Sequence, residues 1–262
     1  MIKAMRTAAT GMVAQQMNVD NIANNLANVN TTGFKQTKIE FQDVLYQNLR
    51  RAGTASALGT EVPTGLSIGY GTRASATVRS FSEGNLTPTG NPLDLAIDGD
   101  GFFQVQMPDG TTGYTRDGAF KISGDGQIVT SEGYFVLPQM AVPEGSTAIS
   151  VGTDGTVEVM VSGQNDPVQI GQVELARFVN PAGMLAIGRN ILMPTRASGD
   201  PVTGVPTQSG LGQIDQGYLE MSNVKVVDEM VNMIVAQRAY EMNSKAIQTA
   251  DDMAGIANNL KR

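Results

Sequence analysis

Residues 5–29, MRTAATGMVAQQMNVDNIANNLANV, carry a seven-residue repeat that extends over four heptads. Apolar side chains recur at the first and fourth positions of each heptad, and Gln15 is the one polar interruption. This pattern predicts an N-terminal helix with a single apolar seam, ending near Thr31–Gly33, where glycine can adopt the left-handed cap conformation. The predicted seam consists of Met5, Ala8, Met12, Gln15, Val19, Ile22, Leu26 and Val29.

The C-terminal segment carries a second repeat of the same kind. Its apolar positions are separated mostly by three and four residues in alternation, with one irregularity near Val235. Ser222 is expected to cap this helix, and Asp228 and Glu229 suit the positive end of its dipole. The predicted seam consists of Val224, Val227, Val231, Val235, Ala239, Met242, Ala246, Thr249, Met253, Ile256 and Leu260.

The chain between the two repeats is rich in turn formers. All 11 prolines lie between Pro63 and Pro206, whereas the two ends are nearly free of helix breakers. Asp-Gly pairs predict hairpin turns in this middle region. Strands are predicted at residues 93–97, 102–107, 134–137, 157–161 and 168–179. We therefore predict an α+β fold, in which the terminal helices pair as an antiparallel coiled coil and the middle forms an antiparallel sheet or barrel-like domain.

The same composition shifts predict the domain boundaries. Two stretches, residues 51–67 and 194–213, are expected to be extended linkers because they are rich in Gly, Pro and small polar residues. The predicted organisation is an N-terminal coiled-coil helix, an extended linker, a β-rich outer domain and a C-terminal coiled-coil helix, at residues 1–33, 34–70, 71–215 and 216–262.

The composition removes several classes of function. The chain has no cysteine and no histidine, so thiolate chemistry, Cys-based metal sites and the commonest general base are excluded. The formal net charge of -7 argues against a nucleic-acid partner. No apolar run is long enough to span a membrane, and the residues after Lys3 and Arg6 are too polar for a signal peptide. We expect neither membrane insertion nor a cleaved signal.

Two short motifs mimic binding sites without their context. Asp98-Gly-Asp100-Gly resembles part of a calcium loop, but Phe102 stands where the next ligand is required, so a turn is predicted. The glycines at 69 and 71 lack the βαβ surroundings of a dinucleotide site. We predict no catalytic residue, no cofactor and no metal. Six N-terminal asparagines lie off the seam, either on a solvated face or as amides that bond neighbouring helices; they are Asn18, Asn21, Asn24, Asn25, Asn28 and Asn30.

Long stretches at both ends resemble the flagellar axial proteins, the group that forms rod and hook. The N-terminal stretch, residues 21–35, is NIANNLANVNTTGFK, and the C-terminal one includes GYLEMSNV at 217–224. Residues 229–241 and 249–251 continue the C-terminal likeness. The central DLAIDGDGFF at 94–103 and YTRDG at 114–118 are similar to the rod and hook members.

This resemblance implies a structural subunit and not an enzyme. Chain length and residues 46–66 are similar to the distal rod member, and the proximal rod paralogue is the alternative. The family implies a helical homopolymer in the basal body that serves as drive shaft and export channel. It also implies contacts with other axial proteins and ring proteins, and export in an unfolded state without a cleaved signal. Phe41 and Leu45 resemble the element that engages the export gate, or are simply a structural apolar pair.

These observations lead to one assembly hypothesis. Each terminal helix has an apolar stripe that must be covered, because isolated helices are marginal in water. The large apolar residues of both seams are therefore expected to form the assembly interface among copies. The rival class is a cell-wall-binding or muralytic protein, which would act as a monomer.

Overall fold

The computed structural model describes residues 2–53, 55–56, 60–61, 63–163 and 166–259. It is an α+β protein with a helix at each end and a β-rich middle, as the sequence predicts. The chain divides into two compact units. The first unit comprises the described residues of Met1–Leu26, Thr37–Val78 and Lys225–Arg262, and the second comprises those of Ala27–Gln36 and Arg79–Val224. The main part of the second unit begins after residue 78 and ends at residue 224, whereas the β-rich domain predicted from the sequence spans residues 71–215.

The first unit contains two helices and a long β-ribbon. Its elements are α1 (Ile2–Ala27), β1 (Thr37–Asp43), β2 (Tyr46–Arg50), β3 (Ala55–Ser56), β4 (Thr60–Glu61), β5 (Leu66–Gly69), β6 (Thr72–Arg79) and α2 (Val226–Asn259).

Helix α1 ends at Ala27, earlier than the sequence predicts. The residues that follow form a turn, in which the Thr31 amide donates to the Asn28 carbonyl oxygen and the Thr31 hydroxyl donates to the Asn28 side chain. Asparagine is a poor helix former because its side chain competes for nearby backbone groups. Val29, predicted as the last seam residue, therefore lies outside the helix.

Helix α2 begins at Val226, so the prediction that Ser222 caps it is wrong. The Ser222 hydroxyl instead accepts a hydrogen bond from the Val224 amide (3.3 Å). The Asn223 amide donates to the Phe34 carbonyl oxygen, and the Met221 amide donates to the Asn85 carbonyl oxygen. These bonds hold residues 221–223 in the second unit, and Val224 is buried ahead of the helix.

The two helices lie side by side in opposite directions. Near one end, the Asn25 side chain of α1 donates to the Glu229 carboxylate of α2 (3.4 Å). Further along, Gly11 of α1 faces Asn243 of α2 so closely that an added Cβ would lie 2.9 Å from the Asn243 amide nitrogen. As α1 residue numbers fall, the numbers of their α2 partners rise, which is the order of an antiparallel pair.

The described residues between 37 and 79 form one two-stranded ribbon. Strand β1 pairs with β6, β2 with β5 and β3 with β4. Tyr46 is opposite Gly69 and Ala55 is opposite Glu61, so successive ladders continue the same antiparallel hairpin. The stretch predicted as a linker at residues 51–67 thus contains paired strands in its described part.

The second unit contains the remaining strands. They are β7 (Leu86–Pro88), β8 (Leu95–Asp98), β9 (Phe102–Gln106), β10 (Thr112–Thr115), β11 (Lys121–Ile122), β12 (Ile128–Val129), β13 (Phe135–Val136), β14 (Ser146–Val151), β15 (Thr156–Val161), β16 (Val168–Gln172), β17 (Leu175–Arg177), β18 (Leu185–Gly188), β19 (Ile191–Met193), β20 (Val202–Gly204), β21 (Gln213–Gln216) and β22 (Tyr218–Glu220), with a 3₁₀ turn at Pro181–Gly183.

A nine-stranded sheet is the largest element of this unit. Its order is β11-β12-β13-β9-β10-β19-β18, and β17 pairs with both β9 and β20. A three-stranded sheet has the order β14-β15-β16, and the two pairs β8–β21 and β7–β22 complete the unit. The pairings within these sheets are antiparallel, as predicted.

Each region predicted as a strand contains a strand, and two further details differ from the prediction. Residues 168–179 form two strands, β16 and β17, which belong to different sheets. The second predicted linker, residues 194–213, contains β20. The core between the sheets includes Leu95, Ile97, Phe103, Phe120, Val157, Val159 and Leu175.

Candidate assembly surface

The face of α2 that contacts α1 is built mostly from small and polar residues. Its buried or half-buried positions recur at four- and three-residue spacing and form what we call the inner face: Glu229, Met233, Ala236, Ala239, Asn243, Ile247, Ala250 and Ala254. Ala236 and Ala250 are 1% and 2% exposed. Two of its residues contact α1: Glu229 accepts a hydrogen bond from Asn25, and Asn243 lies against Gly11.

The opposite face of α2 carries the seam that the sequence predicts. We call this set the outer stripe; its exposed apolar residues are Val227, Val231, Val235, Met242, Met253 and Ile256, together with Met230 and Ile234, which the prediction missed. Val227 is 73% exposed and Met242 is 71% exposed. Ala246 and Thr249 are exposed as well, Ala239 is half-buried, and Leu260 lies outside the described residues. The outer stripe is therefore uncovered within one chain.

The predicted seam of α1 is less exposed. Ala8 and Ile22 are buried, and Met5, Met12, Gln15, Val19 and Leu26 are half-buried. Among the described residues of α1, the exposed large apolar side chains are Val13 and Met17, which the seven-residue repeat does not include. The seams of the two helices are thus not equivalent: that of α1 is largely shielded in the chain, and that of α2 faces outward.

A buried amide network ties α1, β1 and α2 together. Asn25 is 1% exposed; its side-chain nitrogen donates to the Thr37 carbonyl oxygen (2.8 Å), and its oxygen accepts from the Thr37 amide (3.0 Å). Asn21 makes a second pair of bonds with Thr37, at 2.7 and 2.6 Å. The sequence left open whether these amides face solvent or neighbouring helices. Asn21 and Asn25 instead bond the strand that follows their own helix, and Asn25 also reaches Glu229.

An ion cluster is buried in the second unit. The Glu220 carboxylate accepts from Lys35, from Arg116 (3.2 Å) and from the Gly84 amide (2.9 Å). Lys35 and Glu220 have side chains that are 3% and 1% exposed. Burial lowers the pKa of Lys35 from its ordinary value, and the neighbouring Glu220 carboxylate acts in the opposite direction. The sequence gives little sign of this cluster, because its charged members lie up to 185 residues apart.

Arg116 crosses the cluster toward the turn after β8. It donates to the carbonyl oxygens of Ile97 (3.2 Å) and Gly99 (2.6 Å). Asp98 and Asp100, the fragment that mimics a calcium loop, flank that glycine. Among the described residues, no group of three or more acidic side chains is placed to hold a metal ion.

The export-gate-like residues lie in the ribbon. Phe41 is in β1 and is 37% exposed, and Leu45 follows β1 and is 81% exposed. Neither belongs to the apolar core clusters of the described residues. Within the same described part of the chain, neither helix has the length and apolarity needed to cross a membrane.

Three family descriptions match separate parts of the chain. Residues 5–35 match "Flagella basal body rod protein", residues 96–159 match "Flagellar hook protein FlgE/F/G D1 domain", and residues 215–260 match "Flagellar basal body rod FlgEFG protein C-terminal". Most of α1, all of α2 and strands β9 to β14 therefore lie within the matched regions.

Full-length relatives agree with these matches. A flagellar basal-body rod protein FlgG from Borreliella burgdorferi is 53% identical over 100% of both chains. Its namesake from Caulobacter vibrioides is 47% identical over 99% of this chain and 100% of the relative. That from Bacillus subtilis is 36% identical over 100% of both. With identity at this level over the whole length, the chain belongs to the FlgG family of flagellar basal-body rod proteins.

Proposed function

We propose that this chain is a structural subunit of the flagellar distal rod and polymerises into a helical tube that acts as drive shaft and export channel. The observation that carries the proposal is the outer stripe of α2, whose apolar side chains are exposed along the helix. An apolar surface of this length is unfavourable in water and marks a site of association. The names of the relatives, which are rod proteins of the flagellar basal body, support the same assignment.

The partners follow from this role. Most contacts of the subunit are with other copies, and the ends of the tube contact other axial proteins. The outside of the tube faces the ring proteins of the basal body. The proximal rod is the alternative position for this chain, and the full-length identity with relatives named FlgG favours the distal one.

The assembly interface can be tested where it is already exposed. Val231→Asp places a charge in the outer stripe without disturbing the fold, because Val231 is 54% exposed in the single chain. We expect this variant to remain monomeric when the wild-type chain forms tubes, because the stripe would bury an unpaired carboxylate. Asn232→Asp, an exposed neighbour off the stripe, is the control. Normal tubes from Val231→Asp would overturn the interface. Leu26→Asp tests the α1 seam, and because Leu26 is half-buried, circular dichroism must first show that the variant folds.

Phe41 and Leu45 support a second part of the proposal, recognition by the export gate. Both are exposed in the folded ribbon, so replacing Phe41 removes no buried core contact. We expect Phe41→Ala to reduce export into the periplasm while purified protein still polymerises. Equal export of the variant and the wild type would reduce the pair to a structural role.

A further inference from the structure

The first unit carries a groove on the side of α1 that faces away from α2. The groove lies between α1 and β6; Ala9, Val13, Met17 and Ala74 line it, and Arg6 and Arg73 stand among the same lining residues. Val13 is 53% exposed and Met17 is 44% exposed, so the groove is apolar and open within one chain.

The groove and the outer stripe are on opposite sides of the helix pair. Successive residues of a helix are about 100° apart, so Val13 lies roughly 160° around α1 from Gly11, which faces α2. By the same geometry, Val231 lies roughly 140–160° around α2 from Glu229 and Ala236 on the inner face. One copy therefore presents an apolar ridge, which is formed by the outer stripe, on one side of the helix pair and the apolar groove on the other.

The densest part of the ridge fits the groove in length and charge. Val227, Met230, Val231, Ile234 and Val235 are all exposed and span about 12 Å along α2, against about 16 Å for the groove from Arg6 to Met17. In the span 227–235 the exposed charge is Asp228, because Glu229 is buried on the inner face. A carboxylate beside the ridge complements the two arginines beside the groove.

We propose that the α2 ridge of one copy docks into the α1–β6 groove of the next copy. This contact joins two different surfaces, so it is heterologous: each added subunit leaves a free ridge at one end and a free groove at the other. Such a contact propagates instead of closing as a dimer. The inference rests on the proposed polymerisation and specifies which surfaces meet. The groove is a helix acceptor, and its occupant is a second copy of this chain.

Single-cysteine variants test the contact, because the wild-type chain has no cysteine. Val13→Cys and Val231→Cys are mixed under tube-forming conditions and oxidised mildly. We expect a disulfide between the two variants only in the mixture, and a ladder of covalent oligomers from the double variant. Asn232→Cys replaces Val231→Cys as the matched control and should crosslink much less.

The outcomes separate this contact from the polymerisation itself. Tubes that form without the mixed disulfide, or with Val231→Cys crosslinked to itself, overturn the docking and leave the polymer in place. A wild-type chain that forms no polymer overturns the proposed function and this contact together.

Exchanging the charges of Arg73 and Asp228 tests the docking contact independently. Arg73→Glu should raise the concentration needed for assembly roughly twofold to fivefold, the range expected for one exposed ion pair. Adding Asp228→Lys should restore assembly. Failure of the double variant to recover, with both single variants folded and impaired, would contradict the pairing of these residues.

Discussion

At the scale of single residues, Glu220 determines whether the buried ion cluster is balanced. Two cations, Lys35 and Arg116, share this one carboxylate, and the Arg116 Nε atom has no partner among the described residues. Buried charges are costly unless they are paired and hydrogen-bonded. The cluster therefore joins Lys35, near the start of the chain, to Glu220, near its end.

We expect Glu220→Gln to lower the free energy of unfolding by about 3–5 kcal/mol, because two buried cations lose the carboxylate that both of them contact. Urea unfolding of the full chain measures this change. Glu132→Gln is the control, because Glu132 lies 3.7 Å from Arg189 in an exposed pair and should cost at most about 1 kcal/mol. Equal effects of the two substitutions would show that the buried cluster contributes little.

Gly33 combines a left-handed backbone conformation with close backbone neighbours. Its φ is +66°, and an added Cβ would lie 2.6 Å from backbone atoms of Arg116 and Asp117. Gly90 has a similar φ of +73° with nothing within 4 Å of the added atom. Alanine substitutions at these two glycines therefore separate the energetic cost of the left-handed conformation from that of steric overlap.

Gly90→Ala should therefore lower the free energy of unfolding by about 1–2 kcal/mol, because alanine is strained in the left-handed conformation. Gly33→Ala should cost at least about 1–3 kcal/mol more, because the backbone must move to admit the methyl group. Thermal unfolding of both variants, compared with the wild type, checks the difference. Similar melting temperatures would contradict the steric argument.

At the scale of elements, the amide network holds α1, β1 and α2 in one register. A two-stranded ribbon is marginal by itself, and so is a helix with an apolar stripe, so each depends on the others. A buried polar group that finds its partners in only one alignment can specify that alignment. Asn25 is such a group, since it contacts both Thr37 and Glu229.

We expect Asn25→Ala to destabilise the first unit by about 1–3 kcal/mol, because the Thr37 amide and carbonyl lose their buried partner. Hydrogen exchange should show faster opening of α1 and β1, with the strands of the second unit unchanged. Asn232→Ala, an exposed residue of α2, is the control. Unchanged exchange in α1 and β1 would show that Asn25 does not hold the elements together.

At the scale of the whole molecule, charge is divided unequally between the two units. The second unit has 7 Lys and Arg residues against 16 Asp and Glu residues, a net charge of -9, and the first has 11 against 9, a net charge of +2. In a polymer, copies of the acidic unit are brought near one another. Their repulsion opposes assembly and is screened by salt.

We therefore expect the concentration needed for polymerisation to fall as sodium chloride rises from about 0.1 M to about 1 M, where the Debye length shortens from about 10 Å to about 3 Å. Light scattering at each salt concentration measures the effect, and sucrose at equal osmolality controls for solute exclusion. A rise in the required concentration would mean that attraction between opposite charges, such as Arg73 with Asp228, dominates.

The sequence by itself determined the α+β class, the helical ends and the β-rich middle. Heptad spacing and the placement of proline and glycine are local properties, so they can be interpreted without knowledge of the tertiary contacts. The helix ends were not determined: the Asn28 carbonyl bonds the Thr31 amide, and the Asn223 side chain bonds Gln36 and Ser80, contacts that the repeat does not show. The absence of His and Cys likewise limited the chemistry directly.

Only the tertiary structure decided which side of α2 meets α1. The repeat predicts an apolar seam on α2 as the interface among copies, but it does not identify the residues that meet α1. In the structure α1 meets the inner face, where Asn25 contacts Glu229 and Gly11 contacts Asn243. The link between Lys35 and Glu220 is equally invisible in the sequence. Both depend on residues that are distant along the chain, and such contacts exist only once the fold has brought them together.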